Sequence, residues 1–213
     1  MITFKSRKSA IRRADYITRK AHSVYSHVSS SRIDSMIGDD KVRNLFWGQM
    51  SFEYSLKFAK ERMLIEDDTK NLHKHVVEML QRGLGNCFEE AKLAELIGRI
   101  NGQKNIYAVK IFAGDKYALH EAAMLTDKKF DIQTRYKLKG KDALILDPWL
   151  QVTDFVGKYV EQIKSNFAKT LGIKNGNIEL QIDADGKLTP RKIKEFKEKY
   201  PELLIDKFEK IKI

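Results

Sequence analysis

The chain has 213 residues, with 40 Lys and Arg against 29 Asp and Glu and a net charge of +11. Hydrophobic residues at 42 % and aromatics at 10 % exclude a disordered chain, and no apolar run nears the ~20 residues of a bilayer-spanning helix. A single cysteine excludes an intramolecular disulfide framework and a cysteine-rich zinc site, and it suits a reducing compartment.

From Ser9 onward, apolar residues recur at Ile11, Ala14, Ile17, Ala21, Val24 and Val28, which predicts a helix. Arg12, Arg13, Arg19 and Lys20 fall between them and give it a basic face, a candidate contact for an anionic membrane. The same N-terminal stretch has no apolar run, so no cleaved secretory signal is expected. After a polar break, Leu45, Phe52, Leu56, Ala59 and Met63 mark a second helix. A third is expected from Asp68 or Thr69, burying Leu72, Val76, Met79 and Leu80 and stopping at Gly83. A central helix then begins at Cys87, directly after Gly85 and Asn86. Cys87, Ala91, Ala94 and Gly98 share one face of it, all small, so this face can lie close against a sheet.

Three short runs follow, "NIYAVKIFAG", "YALHEAAML" and "DALILD", rich in strand-forming residues and bounded by Gly, Asp and Lys. They read as consecutive antiparallel strands. Helix is expected again over "DFVGKYVEQIKSNFAKTLG", with Phe155, Tyr159, Ile163 and Phe167 on one stripe and Gly172 as the stop. "IELQI" reads as one more strand, and Thr189-Pro190 opens a last helix. The fold class is α+β in a single domain: a helical part over 1–80, a core over 81–150 and a helical part over 151–213.

The position of Cys87 raises a chemical expectation. The first turn of a helix carries unpaired N–H groups and partial positive charge, which stabilise a thiolate. A thiol enzyme also needs a base. His22 and His27 lie among polar neighbours on the first helix, and His73 and His75, two residues apart on a helix, cannot jointly grip a metal. His120 is different, because it interrupts an apolar strand. Folding 117–125 against 142–147 around a loop centred near residues 133 and 134 sets His120 directly opposite Asp147, about one cross-strand spacing of ~5 Å away. A slip of one residue would send them to opposite faces. The expected set is nucleophile Cys87, base His120 and orienter Asp147.

The order of Cys at a helix start, His on a strand and Asp on the next strand resembles the papain-like and transglutaminase-like superfamily of thiol enzymes. Asp147-Pro148-Trp149 resembles the Asn-Ser-Trp that orients and shields the papain histidine, with Asp as in the transglutaminase branch. Gln81, six residues before Cys87, matches the position from which papain-like enzymes supply an oxyanion donor; the alternative donors are the Asn86 side chain and the Cys87 N–H. The stretch "GNCFEEA … LHEAAML … ILDPW" also resembles the short catalytic core of effector proteases, deamidases and transglutaminases that bacterial pathogens inject into host cells.

The resemblance covers roughly residues 81 to 150. It implies a central Cys helix packed on a small antiparallel sheet, with added N- and C-terminal helices. It implies acyl transfer on an amide of a protein substrate, no cofactor, Trp149 in a supporting role, and export without a cleaved signal. The basic balance points to an acidic substrate or an anionic membrane as docking surface.

The competing class is a non-enzymatic basic module that binds an acidic protein, a membrane or nucleic acid, with Cys87 merely packed. No aromatic-interleaved basic motif supports the nucleic-acid version. A calcium loop at Asp183, Asp185 and Gly186 is disfavoured, because Gln181 and Lys192 stand where carboxylates belong. An arylamine acetyltransferase-like enzyme shares the Cys-His-Asp order but is a longer chain.

Overall fold

The computed structural model describes residues 4–25, 57, 60, 71–113, 118, 120–128, 130–131, 134–167, 178–182, 188–206, 208 and 211. The stripe residues of the expected second helix (Leu45, Phe52, Leu56, Ala59 and Met63), the caps at Asp68 and Thr69, His27, Val28, Gly172 and the Asp183–Gly186 loop lie outside them. Helix α1 spans Phe4–Ser23, α2 Leu72–Gln81 and α3 Cys87–Ile100. The α2 helix starts three residues after Thr69, with Asn71 at its N-cap position.

Six strands form one antiparallel sheet in the order β3-β6-β1-β2-β4-β5. They are β1 Ile106–Ala113, β2 His120–Leu125, β3 Arg135–Tyr136, β4 Leu144–Asp147, β5 Val152–Phe155 and β6 Ile178–Ile182. The three consecutive strands expected from sequence are β1, β2 and β4. "IELQI" is β6, and it joins their sheet beside β1 rather than standing apart.

Two strands carried no recognised signal. β3 is a two-residue edge piece. β5 occupies the start of the expected helix over residues 154–172, because Val152–Phe155 turns back along β4 before Val156 begins α4 (Val156–Gln162). That helix then widens into a π-helical stretch, Ile163–Phe167. The last helix, α5 (Pro190–Lys199), starts as expected: Pro190 occupies the first turn, and Thr189 Oγ1 accepts from the Lys192 N–H at 3.3 Å.

Strand alternation divides the core between the two sheet faces. Ile106, Ala123, Leu125, Leu144 and Leu146 meet Leu93, Ala94, Leu96, Ile97 and Ile100 of α3, with α1 and α2 packed behind. Val109, Ile111, Ala122, Met124 and Ile145 meet Val156, Tyr159 and Ile163 on the other side. The small face of α3 does what its composition suggests. A Cβ added at Gly98 would sit 2.6 Å from Ile106 Cδ1, so the helix approaches the sheet as closely as glycine allows. Gly98 near the end of α3 lies beside the first residue of β1. The start of α3 therefore lies toward the opposite end of the sheet, where β2 begins and β4 ends. Among the described residues, no helix is long and apolar enough to cross a membrane.

Candidate active site

The sequence "GNCFEEA" builds the loop-to-helix junction. Asn86 holds the N-cap position in an extended conformation, and its N–H donates to Glu89 Oε2 at 2.8 Å, the return half of a capping box. Cys87 is thus the first helical residue, and it is half-buried.

The register of β2 and β4 differs from the expected one by two residues. Ala123 pairs with Leu146, which sets Asp147 opposite Ala122 rather than His120. The physical reason is the connection, which is not a simple loop. It leaves to add β3 beside β6, and its base is clasped where Thr126 Oγ1 donates to the Asp142 carbonyl at 3.1 Å and Lys128 Nζ meets Asp142 Oδ1 at 2.5 Å. A shift of two preserves the alternation, so His120 and Asp147 keep the same face as diagonal neighbours. His120 Nε2 lies 2.6 Å from Asp147 Oδ2. Both residues are buried, at 3 % and 0 % exposure.

Asp147 ends its strand by capping the turn that Pro148 opens. Its Oδ1 accepts from the Leu150 N–H at 2.9 Å. The turn closes at Gln151, whose φ of +57° is left-handed. Trp149 is folded back within it, its ring 5.3 Å from the His120 imidazole and tilted by 56°. This indole and the strand leave the imidazole little contact with water.

With Nε2 engaged by Asp147, Nδ1 is the ring nitrogen left to face Cys87, whose side chain is near enough to the imidazole to act on its charge. Burial works against a charged ring here. The negative charge of Asp147 and its hydrogen bond outweigh that, with Cys87 adding to them, and push the His120 pKa up to about 10. At neutral pH the imidazole therefore carries its proton.

The structure brings together Cys87, His120, Asp147 and Trp149, with Asn86 at the adjoining N-cap. It does not bring in Gln81 in the same way. Gln81 is the exposed last residue of α2, and its amide bonds the hydroxyl of Tyr25, which itself donates to Glu202 Oε1 at 2.7 Å.

Tyr159 was legible in the sequence only as a stripe residue, yet it reaches the site. It is fully buried, and its hydroxyl donates to Asp147 Oδ2 at 2.6 Å. The signal that could have found it is its residue type: a phenol on a core stripe needs a buried acceptor, where Phe or Leu would not.

A cavity of about 110 Å³ lies elsewhere, between α2 and α5, lined among others by His73, Phe196 and Tyr200. It shares no residue with the Cys87 site. Two other histidines have carboxylate partners of their own: His22 Nδ1 is 3.6 Å from Glu90 Oε2, and His75 Nδ1 is 3.9 Å from Glu78 Oε2.

No family model, no curated protein and no solved structure matches this chain.

Proposed function

We propose that this protein is a cysteine-dependent acyl-transfer enzyme that attacks an amide of a protein substrate through Cys87, His120 and Asp147. The observation that carries this reading is the His120 imidazole, buried and held at 2.6 Å by Asp147, with the half-buried Cys87 side chain near it at the head of α3. A packed cysteine has no need of such a neighbour. The papain-like or transglutaminase-like core belongs to the same proposal, supported by a thiol-headed helix on an antiparallel sheet with His and Asp at one end of neighbouring strands.

The chemistry follows from where the proton sits. Cys87 attacks the carbonyl carbon as a thiolate, and the negative charge moves to the carbonyl oxygen. The Cys87 N–H is the backbone donor for that oxyanion, and the Asn86 and Gln81 side-chain amides are the candidate second donors. On collapse, the C–N bond breaks, and the His120 imidazolium gives its proton to the departing ammonia or amine. The thioester is then resolved by water, activated by the now neutral His120, or by a second amine. Water yields proteolysis or glutamine deamidation; a lysine yields cross-linking. The exposed Arg12 and Arg19 of α1 give a basic surface for an acidic substrate or an anionic membrane.

The test is alkylation of Cys87 by iodoacetamide across pH. Where His120 activates the sulfur, His120→Ala slows alkylation at pH 6 by ~10²-fold, the low end of what a positioned acid–base group contributes. Cys87→Ala takes up no label while keeping the fold. Wild-type reactivity that climbs only as an ordinary thiol's does, unchanged in His120→Ala, ends the proposal.

A further inference from the structure

The hydroxyl of Tyr159 is a buried polar group that reaches the site and that the chemistry above does not use. It stands between Val156 and Ile163 in a fully buried apolar cluster, where a phenylalanine would pack equally well. It spends its proton on the same carboxylate oxygen that holds His120: Tyr159 Oη and His120 Nε2 each lie 2.6 Å from Asp147 Oδ2, while the Leu150 N–H takes Oδ1 at 2.9 Å.

We propose that Tyr159 is a positioning residue of the acyl-transfer site, acting through Asp147 to keep His120 charged and aimed at Cys87. This rests on the reading of the site as a thiol active site. The argument is electrostatic. Asp147 has no exposure to water, so its negative charge persists only if protein donors replace solvation. Three donors do so, and Tyr159 supplies one of the two on the oxygen that faces His120. Without it, Oδ2 loses one of its two donors and the carboxylate is held less firmly, so the imidazole it orients is aimed less well at Cys87. The hydroxyl is fitted to remain a donor: burial first, then the neighbouring charge of Asp147, push its own ionisation well above the ordinary tyrosine range.

The alternative is that the hydroxyl is only a satisfied core group, and the pH profile of Cys87 alkylation separates the two. Tyr159→Phe keeps the ring and the packing. It should move the acid limb of the profile upward and slow alkylation at pH 6 by about tenfold, the weight of one hydrogen bond to a charged group. Asp147→Asn should move the limb in the same direction and at least as far. Ile163→Val, a pure packing change one turn along the same helical stripe, should lower the melting temperature and leave the limb in place. A Tyr159→Phe profile that superposes on wild type overturns the inference, as does an equal shift in Ile163→Val. If His120→Ala also superposes on wild type, the active-site reading itself falls. If His120→Ala collapses the rate and Tyr159→Phe does not, only the role of Tyr159 is lost.

Discussion

Helix α3 borders two buried histidine–carboxylate pairs, and they differ in what else is present. At its start, His120 and Asp147 meet at 2.6 Å with the Cys87 thiol on the imidazole. Two turns further on, His73 Nε2 lies 3.4 Å from Glu95 Oε2, and Lys92 Nζ, fully buried, lies 3.8 Å from the same oxygen. In the second pair a lysine already supplies the positive charge that the carboxylate calls for. In the first, the imidazole itself must supply it, and a half-buried thiol stands near it. A buried His beside a buried acid is therefore a structural motif by default. The identity of the third group makes one of these two a candidate site.

The largest effect that tests this contrast is on stability. Glu95→Gln removes the carboxylate from between Lys92 and His73, a loss of about 3–5 kcal/mol by the usual weight of breaking a buried pair. Adding Lys92→Met removes the cation too and should recover most of that loss in urea denaturation. Neither change should alter Cys87 alkylation by more than about twofold. If Glu95→Gln slows alkylation as strongly as His120→Ala, the two pairs are one network and the contrast is wrong.

How far each pair was legible in the sequence follows from the range of the signal. His120 and Asp147 were found because both sit on strands, where alternation fixes the face. The direct opposition was two residues off, but an even error preserves the face, and long side chains cover the diagonal. The excursion to β3 that sets the true register is a tertiary event, and nothing local in residues 126–143 encodes it. The two-turn separation of His73 from the thiol is likewise fixed by how α2 packs on α3. Glu89, Glu90, Lys92 and Glu95 are charged residues spread around a helix that reads as central. They are buried because α1 and α2 cover it, and periodicity within one helix does not report on a second layer. Tyr159 and β5 were lost together: the helical stripe that included Phe155 hid the strand, and a phenol on that stripe passed for packing.

The two pairs should also fail at opposite ends of the pH scale. His120 has an ordinary value of 6.5 and rises to about 10 in the folded protein, so folding binds its proton more tightly. Its contribution is complete below pH 6.5 and is lost as pH rises through about 10. Glu95 goes the other way. Burial alone would raise its pKa, but the His73 hydrogen bond and the charge of Lys92 win, so it lies below its ordinary 4.5. That contribution is present above 4.5 and disappears as pH falls past it. The stability difference between wild type and His120→Gln should therefore shrink between pH 6.5 and 10, and that between wild type and Glu95→Gln should shrink in acid. Chemical denaturation at a series of pH values measures both. A difference for His120→Gln that stays flat across that window would mean the imidazole is not charged in the folded state.

The smallest effect concerns the seat that α3 gives to both pairs. In an open helix, Gly98→Ala would gain about 0.8–1.0 kcal/mol of helix propensity. Here the new methyl would sit 2.6 Å from Ile106 Cδ1 and 3.0 Å from its Cγ2, and Ile106 is fully buried with nowhere easy to go. Overpacking of this kind costs about 1–3 kcal/mol, so from the middle of that range the net change is a loss of about 1 kcal/mol. Ile106→Val removes the atom in closest conflict, so the double variant should be more stable than the sum of the single changes predicts. Residue 98 lies three turns from Cys87, about 16 Å along the axis, so alkylation at pH 6 should stay near wild type in all three proteins. A neutral or stabilising Gly98→Ala would mean that the helix can lift off β1 at little cost. In that case the close seat of α3 on the sheet could not be what holds the thiol in place beside His120.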